Sequence, residues 1–154
     1  MTFTQKIVAP TDFSPASALA LEAASLLAKQ FGATIHLLYI YDPSLLSPLY
    51  VVPGAAALTA PTAEPREFEE GVLRELSRIR EEHLKGLDKV ELAVRQHTSA
   101  SEGICEFATE VGADLVVLST HGRTGLAHLL IGSVAERVVR HCPCPVLTMR
   151  SKAK

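Results

Sequence analysis

Residues 113–134 read ADLVVLSTHGRTGLAHLLIGSV, and the parsing of this stretch decides the fold. Leu115-Val116-Val117-Leu118 is a short, continuous apolar run, the pattern of a strand buried on both faces. Ser119-Thr120-His121-Gly122-Arg123-Thr124-Gly125 then turns polar and glycine-rich, and Gly132-Ser133 opens a helical pattern. Glycines let backbone N–H groups approach an anion, and the first N–H groups of a helix have no partner inside it. A strand, a glycine loop and a helix head in this order make a phosphate cradle, so the phosphates of a nucleotide are its expected ligand.

Working outward, the preceding residues supply more of the same architecture. Ser99 with Glu102 is a capping box that opens a helix with Ile104, Phe107, Ala108 and Val111 inward and Gly112 at its end. Val90 to Arg95 alternates only in part, as an edge strand does. Glu67 to Leu87 carries an apolar stripe of Phe68, Val72, Leu76, Ile79 and His83 or Leu84; its many Glu and Arg residues read as a solvated face. At the amino end, Lys6 to Pro10 and Thr34 to Tyr41 read as strands. Between them Ser14-Pro15 is a helix cap followed by a first-turn proline, Leu19, Ala23, Leu26, Leu27 and Phe31 form the predicted stripe, and Gly32 closes the helix. Beyond the central stretch, Val134, Val138 and Val139 mark the last helix, Cys142-Pro143-Cys144-Pro145 breaks it, and Pro145 to Met149 is the last strand. Five strands alternating with four helices predict one doubly wound, Rossmann-like α/β sheet, with residues 1–154 as a single domain. Ligands in such sheets bind beyond the carboxyl ends of the strands, where strand order reverses. Residues 43–65 interrupt the pattern as a long proline-rich loop, read as either mobile or an ordered lid or partner surface.

Composition narrows the function classes. With 47% hydrophobic residues, 21% charged residues and a net charge of -2, the chain has no global electrostatic case for nucleic acid or an anionic membrane. No apolar run reaches the roughly 18 residues that span a bilayer, and no secretory signal is visible, so a cytoplasmic protein with reduced thiols is expected. The three cysteines do not show zinc-ribbon or Cys-x-x-Cys redox spacing, and Cys105 reads as a packing residue. His128 and His141 add no metal pattern, so no metal site made of protein side chains is expected.

Pro10-Thr11-Asp12-Phe13-Ser14, Ser119 to Gly125, Gly132-Ser133-Val134-Ala135-Glu136 and Cys144-Pro145-Val146-Leu147, in that order, resemble the universal stress protein family over nearly the whole chain. The resemblance implies a five-stranded parallel sheet ordered 3-2-1-4-5, and a homodimer through the last strand, Val146, Leu147, Thr148 and Met149. In the family's nucleotide-binding branch it implies ATP in the crevice. That branch carries a glycine, two residues, a glycine, nine residues and Gly-Ser or Gly-Thr. Gly122, Gly132 and Ser133 match it, whereas Ser119 stands at the first glycine. By resemblance, Asp12 accepts hydrogen bonds from adenine, and Ala9, Pro10 and Thr11 line the base or ribose. Ile40 caps the base and Leu118 and Ser119 border the ribose. Gly122 and its loop, with His121, Arg123 and Gly125, hold the phosphates together with Gly132, Ser133 and Val134. A divalent ion, Mg or Mn, is held through the phosphate oxygens.

Simpler roles stand beside these. Asp12 also fits a turn cap, Gly122 and Gly125 plain turn glycines, Arg123 a solvated charge and His121 a structural loop histidine. No Walker lysine precedes Ser133 and no protein-kinase motif set is present, which favours binding without fast turnover. The expected function is an ATP-binding homodimeric stress-response module. The alternatives are a nucleotide-free stress protein that works through its dimer and surface, and a slow ATP hydrolase.

Overall fold

The computed structural model describes residues 4–46, 65–121 and 131–150. Five strands and four α-helices follow one another: β1 (Lys6–Pro10), α1 (Pro15–Phe31), β2 (Thr34–Tyr41), α2 (Pro65–His83), β3 (Val90–Gln96), α3 (Ala100–Val111), β4 (Leu115–Ser119), α4 (Ser133–His141) and β5 (Val146–Met149). A short 3₁₀ turn, Pro43–Leu45, lies at the start of the stretch expected to be a loop, and α2 begins at its end, on Pro65. The rest of that loop, 47–64, falls outside the described residues. All strand pairs are parallel and the order is β3-β2-β1-β4-β5.

Alternation along the strands sorts side chains onto the two faces. Ile7 and Ala9 of β1, Leu37 and Tyr39 of β2 and Val117 of β4 pack with α1 and α2. Val8, Leu38, Val116 and Leu118 pack with Ile104, Phe107 and Ala108 of α3 and Ala135 and Val138 of α4. The α2 stripe lies as expected: Phe68, Val72, Leu76 and Ile79 are buried, each contributing about 1.5–3 kcal/mol of transfer free energy. That helix ends at His83, and Leu84 buries itself just beyond it, ahead of a turn in which Gly86 adopts φ 81°.

The phase of α1 differs from the expected stripe. Its buried face is Ala20, Leu21, Ala24 and Ala28 with Ser17 and Ser25, while Leu19, Leu26 and Phe31 are exposed. Small residues let the helix lie close to the sheet, and the larger leucines flank the contact. The last helix shows a related shift: Ala135 and Val138 face inward, and Val134 and Val139 face out.

One topological event positions the site. At their amino ends β1 and β4 are pinned together: the Asp114 carboxylate accepts from the Gln5 and Lys6 N–H groups at 2.8 and 2.9 Å, and Asp114 N–H donates to Lys6 O. Pairing between β1 and β4 is recorded only at Ile7–Leu115 and Val8–Val116. The β1–β2 ladder runs on to Pro10–Leu38, and Thr11 N–H donates to Leu38 O. The sheet therefore splits between β1 and β4 at its carboxyl edge, where one crossover turns away from the other.

Candidate functional site

That split opens into a cleft of about 420 Å³. It is lined by Pro10, Thr11 and Asp12 after β1, Tyr39 to Asp42 at the end of β2, Leu118 to His121 after β4 and Gly132 to Ala135 at the head of α4. His97, Thr98, Ala100 and Ile104 complete the wall from β3 and α3. The size suits a small-molecule ligand. Three of the buried polar residues, Thr11, Ser17 and Thr120, line it.

The lip after β1 is a tightly bonded turn. Asp12 Oδ1 accepts the Ser14 N–H at 3.0 Å, so this carboxylate caps a turn and lines the cleft at once. Ser14 in turn caps α1 by accepting from Ser17 N–H. Ser17 Oγ donates to Ser14 O at 2.7 Å, which leaves it to accept from the Thr11 hydroxyl at 3.0 Å. Thr11 Oγ1 also accepts the Phe13 N–H. Phe13 holds φ at 64°, a conformation that costs a residue with a Cβ about 1–2 kcal/mol, and its ring stacks on Tyr39 at 4.7 Å.

The lip after β4 is built from backbone. Thr120 N–H donates to Met149 O of β5, and Thr120 O accepts the Gly132 N–H at 2.6 Å. A Cβ on Gly132 would sit 2.8 Å from that carbonyl oxygen, so a side chain is excluded there by close approach, while its φ of -73° is ordinary. Gly132 caps α4 without a side-chain hydrogen bond, and Glu136 N–H to Gly132 O is the first bond of the helix. The N–H groups of Ser133, Val134 and Ala135 thus have no acceptor within α4, and all three residues line the cleft. The positive end of the helix dipole adds to their pull on an anion. Ser119 Oγ accepts the His121 N–H at 3.3 Å, so the serine at the motif's glycine position closes a local turn. Thr120 Oγ1 lies 2.8 Å from His121 Nδ1.

Of the sequence-predicted site residues, Pro10, Thr11, Asp12, Ile40, Leu118, Ser119, His121, Gly132, Ser133 and Val134 meet on this one cleft. Ala9 does not line it: alternation along β1 turns it onto the α1–α2 face, where it is fully buried. Gly122, Arg123 and Gly125 lie outside the described residues. The sequence reading missed the β2–β3 side of the wall. There the Tyr41 hydroxyl donates to Glu69 Oε1 at 2.7 Å, and burial first, then this carboxylate, pushes the phenol up to about 12. His97 Nδ1 accepts the Ser99 N–H. Gly103 of α3 packs so near that a Cβ would lie 2.9 Å from the Cβ of His97 and 3.1 Å from Ile40. A glycine inside a capped helix was the available sign of that approach.

Comparison with known proteins places this geometry. Residues 4–150 match the model of the universal stress protein family. Universal stress protein MJ0531 of Methanocaldococcus jannaschii is 35% identical over 155 residues, covering 97% of this chain and 84% of the relative. The solved structure of MJ0577, from the same organism, superposes with a TM-score of 0.78 at 25% identity, covering 99% of this chain and 100% of that one. A universal stress protein solved in complex with cAMP shares the fold, with a TM-score of 0.68 at 24% identity and coverage of 98% and 100%. Fold, motif order and sequence agree, and the chain belongs to the universal stress protein family.

Proposed function

We propose that the cleft binds an adenine nucleotide, ATP first among them, and that the chain works as a nucleotide-responsive stress module. The observation that carries this reading is that one cleft joins an apolar wall beside a carboxylate to a helix head rich in N–H donors. Asp12 accepts from the adenine amino group, Pro10, Thr11 and Ile40 surround the base, and Leu118 and Ser119 border the ribose. The N–H groups of Ser133 and Val134, next to Gly132, hold phosphate oxygens, and His121, with Gly122, Arg123 and Gly125 by family resemblance, adds to their grip. A Mg or Mn ion is held by the phosphates and water. The cAMP complex of a structural neighbour supports an adenine nucleotide as the ligand class.

The homodimer is proposed through β5. Among the described residues this strand pairs only with β4, and Leu147 on it is exposed. No helix of the described residues is long and apolar enough to cross a membrane, which accords with a cytoplasmic module. Isothermal titration with ATP and magnesium tests the reading: saturable binding is expected, and at 100 times Kd the nucleotide stabilises the fold by about 2.7 kcal/mol. Absence of binding by ATP, ADP, AMP and cAMP at millimolar concentration overturns it and leaves a nucleotide-free role through the surface. Sedimentation of Leu147→Asp beside the native chain tests the dimer, the variant being expected as monomer.

A further inference from the structure

Gly103 stands one layer behind the cleft. It is buried at the fourth position of α3 and does not line the cleft itself. Glycine weakens a helix interior relative to alanine, so the bare Cα answers to packing and not to helix formation. A Cβ there would lie 2.9 Å from His97 Cβ, 3.1 Å from Ile40 Cδ1 and 3.2 Å from Ile40 Cγ2. Both of these neighbours line the cleft. They stand at the end of β2 and just after β3, on the other side of β1 from β4, and so away from the lip that follows β4.

We infer that Gly103 sets the size selectivity of the cleft: its missing side chain leaves the corner beside Ile40 wide enough for a two-ring base, and a side chain there turns the choice toward one-ring bases. This rests on the reading of the cleft as a nucleotide site. Gly103 touches no ligand; it is a positioning residue that acts through Ile40 and His97. Every way of making room for a Cβ moves the wall. His97 is held from two sides, because its N–H donates to Tyr41 O at 2.9 Å and its Nδ1 accepts the Ser99 N–H at 2.9 Å. Ser99 O in turn accepts the Gly103 N–H at 3.0 Å, so His97 and the first turn of α3 are tied into one unit. Ile40 is partly buried against α3 and lines the cleft, so the room it can move into is the cleft. If the helix yields instead, Ala100 and Ile104 move with it, and both belong to the wall. A difference of one methylene in an apolar pocket changes ligand preference by about 10–200-fold, so a single methyl group at this corner is enough to be read.

The test titrates the native chain and Gly103→Ala with ATP, CTP and inorganic triphosphate, each with magnesium. The native chain is expected to prefer ATP to CTP. In Gly103→Ala, ATP should weaken about tenfold while CTP holds within about twofold and triphosphate is unchanged. A purely structural loss would weaken all three together. Ile40→Val removes Cδ1, one of the atoms that the new Cβ meets, so the ATP loss caused by Gly103→Ala should be smaller in the double variant measured against Ile40→Val alone. That pair also carries the test where Gly103→Ala alone does not fold. The proposal is overturned if ATP and CTP fall by the same factor, if the variant keeps the native ratio, if the loss is as large in the Ile40→Val background, or if neither Gly103 variant folds. A native chain that binds no nucleotide overturns the nucleotide reading and this proposal with it, whereas native ATP binding with an unchanged ratio in the variant overturns this proposal alone.

Discussion

The two lips of the cleft are made in opposite ways. After β1, side chains close on their own turn: Asp12 on Ser14, Thr11 on Ser17 and Phe13, Ser14 on Ser17. After β4, a glycine lies against a carbonyl, and a helix starts with no side-chain cap. The difference teaches where each half of a nucleotide can be held. A turn already braced by its own polar groups offers shape and one carboxylate, which suits selection of a base. A helix head whose first N–H groups have no acceptor within the helix offers attraction for any oxyanion and little discrimination among them.

The hardest blow to the contrast falls on Gly132. Gly132→Val drives a side chain into Thr120 O, so the helix head must move. We expect a loss of about 1–3 kcal/mol in urea unfolding. Nucleotide affinity should fall more than tenfold, and inorganic triphosphate should weaken in parallel with ATP, because the damage lies on the phosphate side. Retained triphosphate binding would show that the N–H groups of α4 are not the anion site.

On the opposite lip, two substitutions separate the observed role of Asp12 in its turn from its proposed role toward the base. Asp12→Asn keeps an oxygen to accept the Ser14 N–H, so stability should hold within about 0.5 kcal/mol. Asp12→Ala removes the acceptor and should cost about 0.5–1.5 kcal/mol. Both variants should weaken ATP about tenfold, corresponding to about 1.4 kcal/mol, and leave triphosphate unchanged. Calorimetric titration with both ligands reads the outcome, and equal losses for the two ligands would erase the division of labour.

Phe13 sharpens the picture of the first lip as a strained turn. Its positive φ favours glycine over alanine, so Phe13→Gly should be more stable than Phe13→Ala by about 1 kcal/mol, although both lose the ring stacked on Tyr39. The reverse order in thermal unfolding would mean that the turn relaxes once the ring is gone.

The smallest effect lies away from both lips. His36 is buried in β2 beside Phe107, its Nδ1 3.2 Å from Glu91 Oε2 and its Nε2 without a hydrogen-bond partner. Burial lowers its pKa, Glu91 opposes that, and Lys6 adds to it. The unfolded chain therefore binds the proton more readily. The contribution of neutral His36 is whole above the ordinary histidine value of 6.5 and is lost as pH falls from there toward the lowered folded value. Urea midpoints at pH 8 and pH 5.5 should show acid weakening that is smaller in His36→Leu, with nucleotide affinity following neither. An equal acid loss in that variant would assign the effect to other groups.

Much of this was readable before any coordinates. The Ser14-Pro15 cap, the Gly32 and Gly112 stops and the α2 stripe are local chemistry and stand where the periodicity puts them. The strand order came from family resemblance, because the neighbourhood of β1 and β4 depends on crossovers that no window of residues records. The errors have physical causes. Ala9 is fully buried in β1 and does not line the cleft that its neighbours Pro10 and Thr11 line, a difference that burial within a strand sets and no motif records. The α1 stripe was phased on leucines, when close packing against the sheet favours alanines. His97 and Thr98 stand outside the sequence reading because a residue at the end of β3, an edge strand, carries no local sign that it reaches the cleft at the β1–β4 split.

Thr120 has one remaining consequence. Its amide hydrogen holds the outermost strand at Met149, and its carbonyl holds the start of α4 at Gly132. The rim where a second copy would dock and the rim where an oxyanion would sit thus share one anchoring residue, although β5 is also paired with β4 from Val146 to Met149.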